Sequence, residues 1–461
     1  MAESSKKKAS HKGDGGLSIV RVKPMNAGGG GVERSGEGLA DGEGALRFGA
    51  ADQRGIEVQG VRGFKAFKYA NTIAPDVDNA ALFAGYMPAR IDAFFDGINC
   101  NVCAYGQTGT GKTHTMFGPP GIMERAGRGD YGVAVDAGYG IFPRALLAIF
   151  ARARALGEKC VLTCSAIELS MIAGNRCMFD TGRKKSAQGL CSPECYGVTV
   201  DKSAKPPRVY GQSEVVLERE SDLLRVFSAL ATRNTAGTGM NDSSSRTHCF
   251  AFLKLYVTED GGETVRCSRF QFVDLAGSER MKEAHGSSDF RDTIDAFAGM
   301  CTNYALTMLS AAVRAYVEQR ARERKKKSKP KAFSFRTYLF DLVLLLSESM
   351  TGRALTAVIV CVSQAPKNAS QSSNALDFGK AFAKLDVRQA PVKAVARAKW
   401  AKNLEKQRAE AEKVLKGGVS AKFMNVRKAQ KLDAEQVLDV LRRLGGGGGD
   451  AKLPRAAGPR A

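Results

Sequence analysis

The segment from Ala104 to Met116 reads AYGQTGTGKTHTM, and within it Gly106 to Thr113 fits the pattern G-x-x-x-x-G-K-[ST]. That spacing suits phosphate binding. Glycines at 106, 109 and 111 let the backbone curl so that several N–H groups face one anion, and the N-terminus of a following helix adds partial positive charge. Lys112 is then the expected partner of the β- and γ-phosphates of ATP, and the Thr113 hydroxyl that of Mg²⁺. Two further motifs narrow the class. Asn241 to His248 reads NDSSSRTH, and Asp274 to Arg280 reads DLAGSER. An acid at a strand end, Asp274, can hold Mg²⁺ through water. Three residues later Gly277 can offer its N–H to a terminal phosphate and swing when that phosphate leaves. Each motif alone also suits a serine-rich turn or a turn glycine. The three in this order point to a nucleotide switch.

Such residues need strands that end at one edge of a sheet. Residues 98–105 form an apolar run that leads straight into the glycines, and similar runs at 17–23, 161–169, 249–257, 269–275 and 355–363 are strand candidates. Between them Leu223, Phe227 and Leu230 share one helical face, as do Leu306, Leu309, Val313 and Tyr316. The alternation predicts an α/β domain with a mainly parallel central sheet and helices on both faces.

Formal net charge is +22 over 461 residues, which favours a polyanionic partner. The charge is concentrated. From residue 387 onward there are 18 Lys and Arg against 7 Asp and Glu, and residues 318–331 (EQRARERKKKSKPK) carry 8 against 2. The basic stretches show no aromatic-interleaved stripe, which disfavours nucleic acid as the partner. The basic N-terminus has no apolar segment behind it, so no secretory signal is read there, and no run approaches the length of a membrane span. Eleven cysteines, an odd number without framework spacing, read as reduced thiols. Cys191 and Cys195, with Cys177, offer a zinc alternative that nothing else in the pattern supports.

Taken together, the three motifs resemble the phosphate loop, switch I and switch II of kinesin motor domains. Arg21-Val-Lys-Pro24, Gly140-Ile-Phe-Pro-Arg144 and Leu376-Asp-Phe-Gly379 are similar to further signatures of that family. The resemblance covers residues 17–387 and implies a P-loop NTPase fold of the kinesin type. It also implies roles. Gly106, Gln107, Thr108, Gly109, Thr110, Gly111, Lys112 and Thr113 would wrap the phosphates of ATP, while Arg21, Pro24 and His114 border the adenine. Thr113 and Ser245 would ligate Mg²⁺ directly and Asp274 through water. Gly277 would sense the γ-phosphate. Arg246 and Glu279 would form the salt bridge that closes the switches, with Glu279 relaying a proton from the attacking water. His248 reads better as a structural histidine, and for His114 that reading stands beside the adenine role.

The implied partner is the microtubule, including tubulin's acidic tails, and the implied location is the cytoskeleton of the cytoplasm. In kinesins the helix after switch II and the loop and helix beyond it meet the track. Here that helix is expected at 302–317. It carries Tyr304 where the family has lysine, and residues 333–341 keep Arg336 but lose a second lysine. The basic run lies between the two helices, and Arg324, Lys325, Lys326 and Lys327 are its expected microtubule contacts. With a screening length of about 8 Å, such a run would compensate for the missing lysine by capturing a flexible polyanion. Residues 388–444 are expected to be a basic neck or tail, helical at 394–415 and again, briefly, around Val437 to Leu444. Residues 1–16 and 445–461 are expected to be disordered. Neither tail helix sustains the heptads of a coiled coil. The expected function is a microtubule-stimulated ATPase and motor. The alternative is a nucleotide-switched protein that grips or depolymerises microtubules without stepping.

Overall fold

The computed structural model describes residues 17–24, 45–48, 55–60, 63–69, 71–73, 76–130, 138–170, 175–179, 198–201, 208–233, 247–278, 294–338, 340–385, 389–418 and 421–445. The first 16 residues, the glycine-rich stretch at 27–44, and Cys191 and Cys195 lie outside them.

One ten-stranded sheet organises the chain. It contains β1 (Leu17–Val22), β2 (Asn71–Ile73), β3 (Cys100–Tyr105), β4 (Cys160–Leu169), β5 (Val215–Val216), β6 (His248–Glu259), β7 (Thr264–Asp274), β8 (Leu355–Val362) and β9 (Val395–Ala396). Its main path runs β5-β4-β6-β7-β3-β8-β1-β2; Arg176–Cys177 pairs with β4, and β9 pairs with the start of β7. From β7 to β2 every neighbour is parallel. From β5 to β7 every neighbour is antiparallel. The sheet, expected to be mainly parallel, is mixed, and it is parallel where the phosphate loop leaves it. The turn Asp260–Gly262 explains the β6–β7 pair, because so short a connection can join only antiparallel strands. All six residues of β3 are buried, as a strand covered on both faces requires.

Helices cover both faces. α1 (Asn79–Tyr86), α2 (Pro88–Phe95), α3 (Lys112–Met116), α4 (Ile141–Leu156) and α5 (Glu220–Ala231) lie on one side, and their apolar residues share a core with Val102, Leu253 and Phe272. α6 (Ile294–Lys325), α7 (Asp341–Leu345) and α8 (Ala369–Phe382) pack on the other with Phe250, Val273 and Val360. Leu306, Leu309, Val313 and Tyr316 are buried there, as their spacing requires. A small antiparallel sheet, Leu46–Phe48 with Gly55–Gly60 and Gly63–Lys68, was not expected from the sequence.

Three expectations need correction. The helix expected at 302–317 runs from Ile294 to Lys325, so the basic run starts on a helix, not in a loop. Residues 318–325 are good helix formers, and Arg322–Glu318 (3.3 Å) and Arg320–Glu323 (2.6 Å) link successive turns. The helix expected to begin near residue 333 is delayed to Asp341 by a short 3₁₀ turn, Phe335–Tyr338. Beyond the nucleotide domain, α9 (Arg397–Lys416) ends at Gly417 as expected, but the second helix, α10 (Ala421–Arg443), is 23 residues long and far from brief. It folds back beside α9, and both pack on the sheet.

Candidate nucleotide site

The phosphate loop spans the gap between β3 and α3, and its glycines are there for geometry. Gly106 has φ +151°, and a Cβ at this position would sit 2.2 Å from the carbonyl oxygen of Cys361 on neighbouring β8. Gly109 and Gly111 also have positive φ, 80° and 91°. The loop is braced from within. Thr110 Oγ1 and Lys112 Nζ both donate to the carbonyl of Gln107, at 2.7 and 2.8 Å, and Gln107 Nε2 donates to Asn368 Oδ1 at 2.9 Å.

The parallel register of β7 beside β3 places Asp274 opposite Ala104, at the mouth of the loop. Thr113 Oγ1 donates to Asp274 Oδ2 at 2.6 Å, and the Ser278 N–H donates to the Gly106 carbonyl at 3.2 Å. Segments 161 residues apart thus meet as their motifs imply. Gly277 is buried beside them. Burial pushes the Asp274 carboxyl above its usual range; Arg233, the Thr113 hydroxyl and Lys112, in that order, oppose the shift. Its second oxygen, Oδ1, is buried without a hydrogen-bond partner. An orphaned carboxylate oxygen beside a threonine hydroxyl is the hard-oxygen donor set that Mg²⁺ takes. The residues present therefore fit the ion. Thr113 would hold it directly and Asp274 through water.

Arg21 and His114 come together at the far end of the loop. Arg21 Nη1 donates to Asn79 Oδ1 (2.5 Å) and Thr115 Oγ1 (2.7 Å), while Asn79 Nδ2 donates to the His114 carbonyl (3.0 Å). Burial first, and then the charge of Arg21, holds His114 below its usual range. Pro24 is exposed at the end of this strand segment. Arg246, Ser245 and Glu279 lie outside the described residues. So does the side chain of Arg336, whose backbone forms part of the 3₁₀ turn.

Three functional contacts escape sequence reasoning. Arg233, just past α5, places Nη1 3.4 Å from Asp274 Oδ2 and its guanidinium carbon 3.9 Å from the Phe117 ring centroid. Its only sequence signal is a position eight residues before the switch I motif. His248 is structural, as its sequence reading favours, but it is also a link. Its Nδ1 accepts the Ala276 N–H at 3.1 Å, tying the strand after switch I to switch II, and burial followed by Lys112 pushes its pKa down to about 3. Asn79 is the third, buried at the start of α1 where nothing in the pattern distinguishes it.

On the opposite side, Arg324, Lys325, Lys326 and Lys327 are exposed at the tip of α6. The Glu323 carboxylate organises the turn beneath them, accepting from Gln319 Nε2 (2.8 Å), Arg320 Nη1 (2.6 Å) and the Lys331 N–H (3.0 Å). Tyr304 and Met300, 56% and 44% exposed, stand on the same helix. Among the described residues no cluster of metal-ligating side chains occurs, and no helix is long and apolar enough to cross a membrane.

The family model for the kinesin motor domain matches residues 46–385. The chain belongs to the kinesin motor-domain family. Among curated relatives, the kinesin-like protein Klp61F of Drosophila melanogaster is 26% identical over 323 residues, 68% of this chain and 27% of that protein. Kinesin-like protein KIF11-A of Xenopus laevis is 30% identical over 339 residues, 70% and 28% respectively. The chain therefore spans little more than a quarter of the length of these relatives. Of solved structures, a fast kinesin superposes with a TM-score of 0.63 at 20% identity, over 83% of this chain and 94% of that one. KIF14 residues 391–772, solved with AMP-PNP on a microtubule, gives 0.63 at 23%, over 82% and 96%. Both superpositions show that this chain has the same fold.

Proposed function

We propose that this kinesin-family chain hydrolyses ATP and couples the hydrolysis to movement along microtubules in the cytoplasm. The observation that carries the reading is the contact between the phosphate loop and switch II: Thr113 on Asp274, and the Ser278 N–H on Gly106. A terminal phosphate held by Lys112 and the loop N–H groups would lie beside Gly277. Its loss would alter the switch II backbone, and the track-side helix α6 follows that segment in sequence. Bound Mg²⁺ would neutralise phosphate charge. Asp274, whose Oδ1 is buried without a hydrogen-bond partner, and the Thr113 hydroxyl would hold the ion. Arg246, Ser245 and Glu279 complete the site in this reading, the last as proton relay.

Microtubules are the polymer that the basic tip of α6 suits, with Arg324 to Lys327 facing solvent and Arg336 following. Family membership favours a motor over a gripping or depolymerising protein. The domain is proposed to span 17–387, with 388–444 as a neck region. The test is ATP turnover with microtubules, with RNA or DNA, and with neither, together with a filament-gliding assay. Stimulation by microtubules alone, with gliding, is the expected result; flat turnover across all polymers would refute the reading.

A further inference from the structure

Residues 389–396 leave the nucleotide domain as a strap along the sheet. The Val392 N–H donates to the Gly97 carbonyl (2.9 Å), β9 pairs with Thr264 and Val265 at the start of β7, and the Arg397 N–H donates to the Glu263 carbonyl (2.8 Å). The strap itself contributes little burial. None of its eight residues is buried, and Val395 is 41% exposed. A two-residue strand pairing in which neither residue is buried is marginal in water. The two helices beyond the strap are better anchored.

α9 and α10 form an antiparallel hairpin that closes over the outer end of β4 to β7. Leu404, Val437 and Leu441 pack with Val216, Tyr256 and Val265 of the sheet, and the Trp400 ring lies 6.1 Å from that of Tyr256. Gln436, 2% exposed, bonds the backbone just before β5 twice: its Oε1 accepts the Glu214 N–H (2.7 Å) and its Nε2 donates to the Gln212 carbonyl (3.0 Å). Arg443 pairs with Glu218 at 2.5 Å. Arg397, the first residue after the strap, donates from Nη1 to the carbonyl of Leu444 at the end of α10 (3.2 Å), closing the loop.

We propose that the α9–α10 hairpin is an intramolecular clasp, and that its docking, not the strap's own pairing, decides whether residues 389–396 are held against the sheet or released. The strap is well placed to be controlled. It pairs with one end of β7, and Asp274 ends the same strand about 33 Å away, at 3.3 Å per residue. Docking of the clasp is independent of the choice of microtubules as partner.

Hydrogen–deuterium exchange on the full chain tests it. Val437→Asp with Leu441→Asp places two charges in the docked face, and Trp400→Ala removes one aromatic contact without adding charge. The expected result is at least tenfold faster exchange of peptides covering 389–397 in the double variant and a smaller increase in Trp400→Ala. Peptides from β3 and β8 should stay protected, and ADP affinity by calorimetry should be unchanged. Unaltered exchange of 389–397 in both variants would overturn the proposal. So would loss of β3 and β8 protection together with ADP binding, which would make the hairpin part of the folding core.

Discussion

Arg233→Ala should uncouple the site from Mg²⁺ more than from nucleotide. The guanidinium is the largest influence opposing the burial of Asp274, ahead of the Thr113 hydroxyl and Lys112. Only 10% of its side chain and 9% of that of Asp274 are exposed, so water cannot replace it. Removing one partner of a buried pair costs about 3–5 kcal/mol if the other stays charged. Taking up a proton costs about 1.4 kcal/mol for each unit by which the pH exceeds the native pKa, so a penalty of that size protonates Asp274 in the variant wherever the native pKa lies within about two or three units of the ambient pH. Since the native carboxyl already lies above its usual range, the stability linked to it is full below the unfolded value and falls as pH rises through the folded one. The variant moves that window higher. A protonated Asp274 has lost its charge and turned one oxygen into an O–H donor, so it accepts only weakly from the water of a bound cation. Calorimetric titration with ADP, with and without Mg²⁺, at pH 6.0, 7.5 and 9.0 reads the effect directly. The Mg²⁺-dependent gain in affinity should fall by roughly 10- to 100-fold at pH 6.0, as 1.4–2.8 kcal/mol implies, and partly recover at pH 9.0. Arg233→Lys should lie between. A magnesium effect equal to wild type at every pH would refute the coupling.

Gly106→Ala sets a methyl against the Cys361 carbonyl, a contact relieved only by parting β3 from β8. A melting temperature several degrees lower and loss of ADP binding are expected, and native affinity would disprove the steric account. His248 titrates near pH 3 when folded, below its unfolded value of about 6.5, so its share of stability is present above that value and drains away at about 1.4 kcal/mol per unit as pH falls towards 3. Urea midpoints of His248→Gln between pH 7 and 4 should show a shallower decline than wild type; parallel curves would remove His248 from the acid response. Replacing Arg324, Lys325, Lys326 and Lys327 together by alanine should weaken co-sedimentation with microtubules and flatten its salt dependence, leaving basal turnover intact. An unchanged affinity and slope would exclude the tip of α6 as a track contact.

The sequence alone determined the phosphate loop, the order of the three nucleotide motifs, the family and most strands of the sheet. These are local properties. Positive φ needs glycine, a buried strand needs an apolar run, and Lys112 and Thr113 stand at fixed offsets from Gly106, so each leaves its mark within a dozen residues. Tertiary structure alone decided what depends on distant partners. Arg233 acquires its role from Asp274, 41 positions away, and Asn79 acquires its role from Arg21 and His114. α6 outruns the expected 302–317 because the charged residues 318–325, with their pairs satisfied turn by turn, continue the helix. The tail differs from its sequence pattern for a similar reason. Val437 and Leu441 show the spacing of a helix face, but only the exposed end of β4 to β7 says what that face covers, and no periodicity in one segment can reveal the surface that another presents to it.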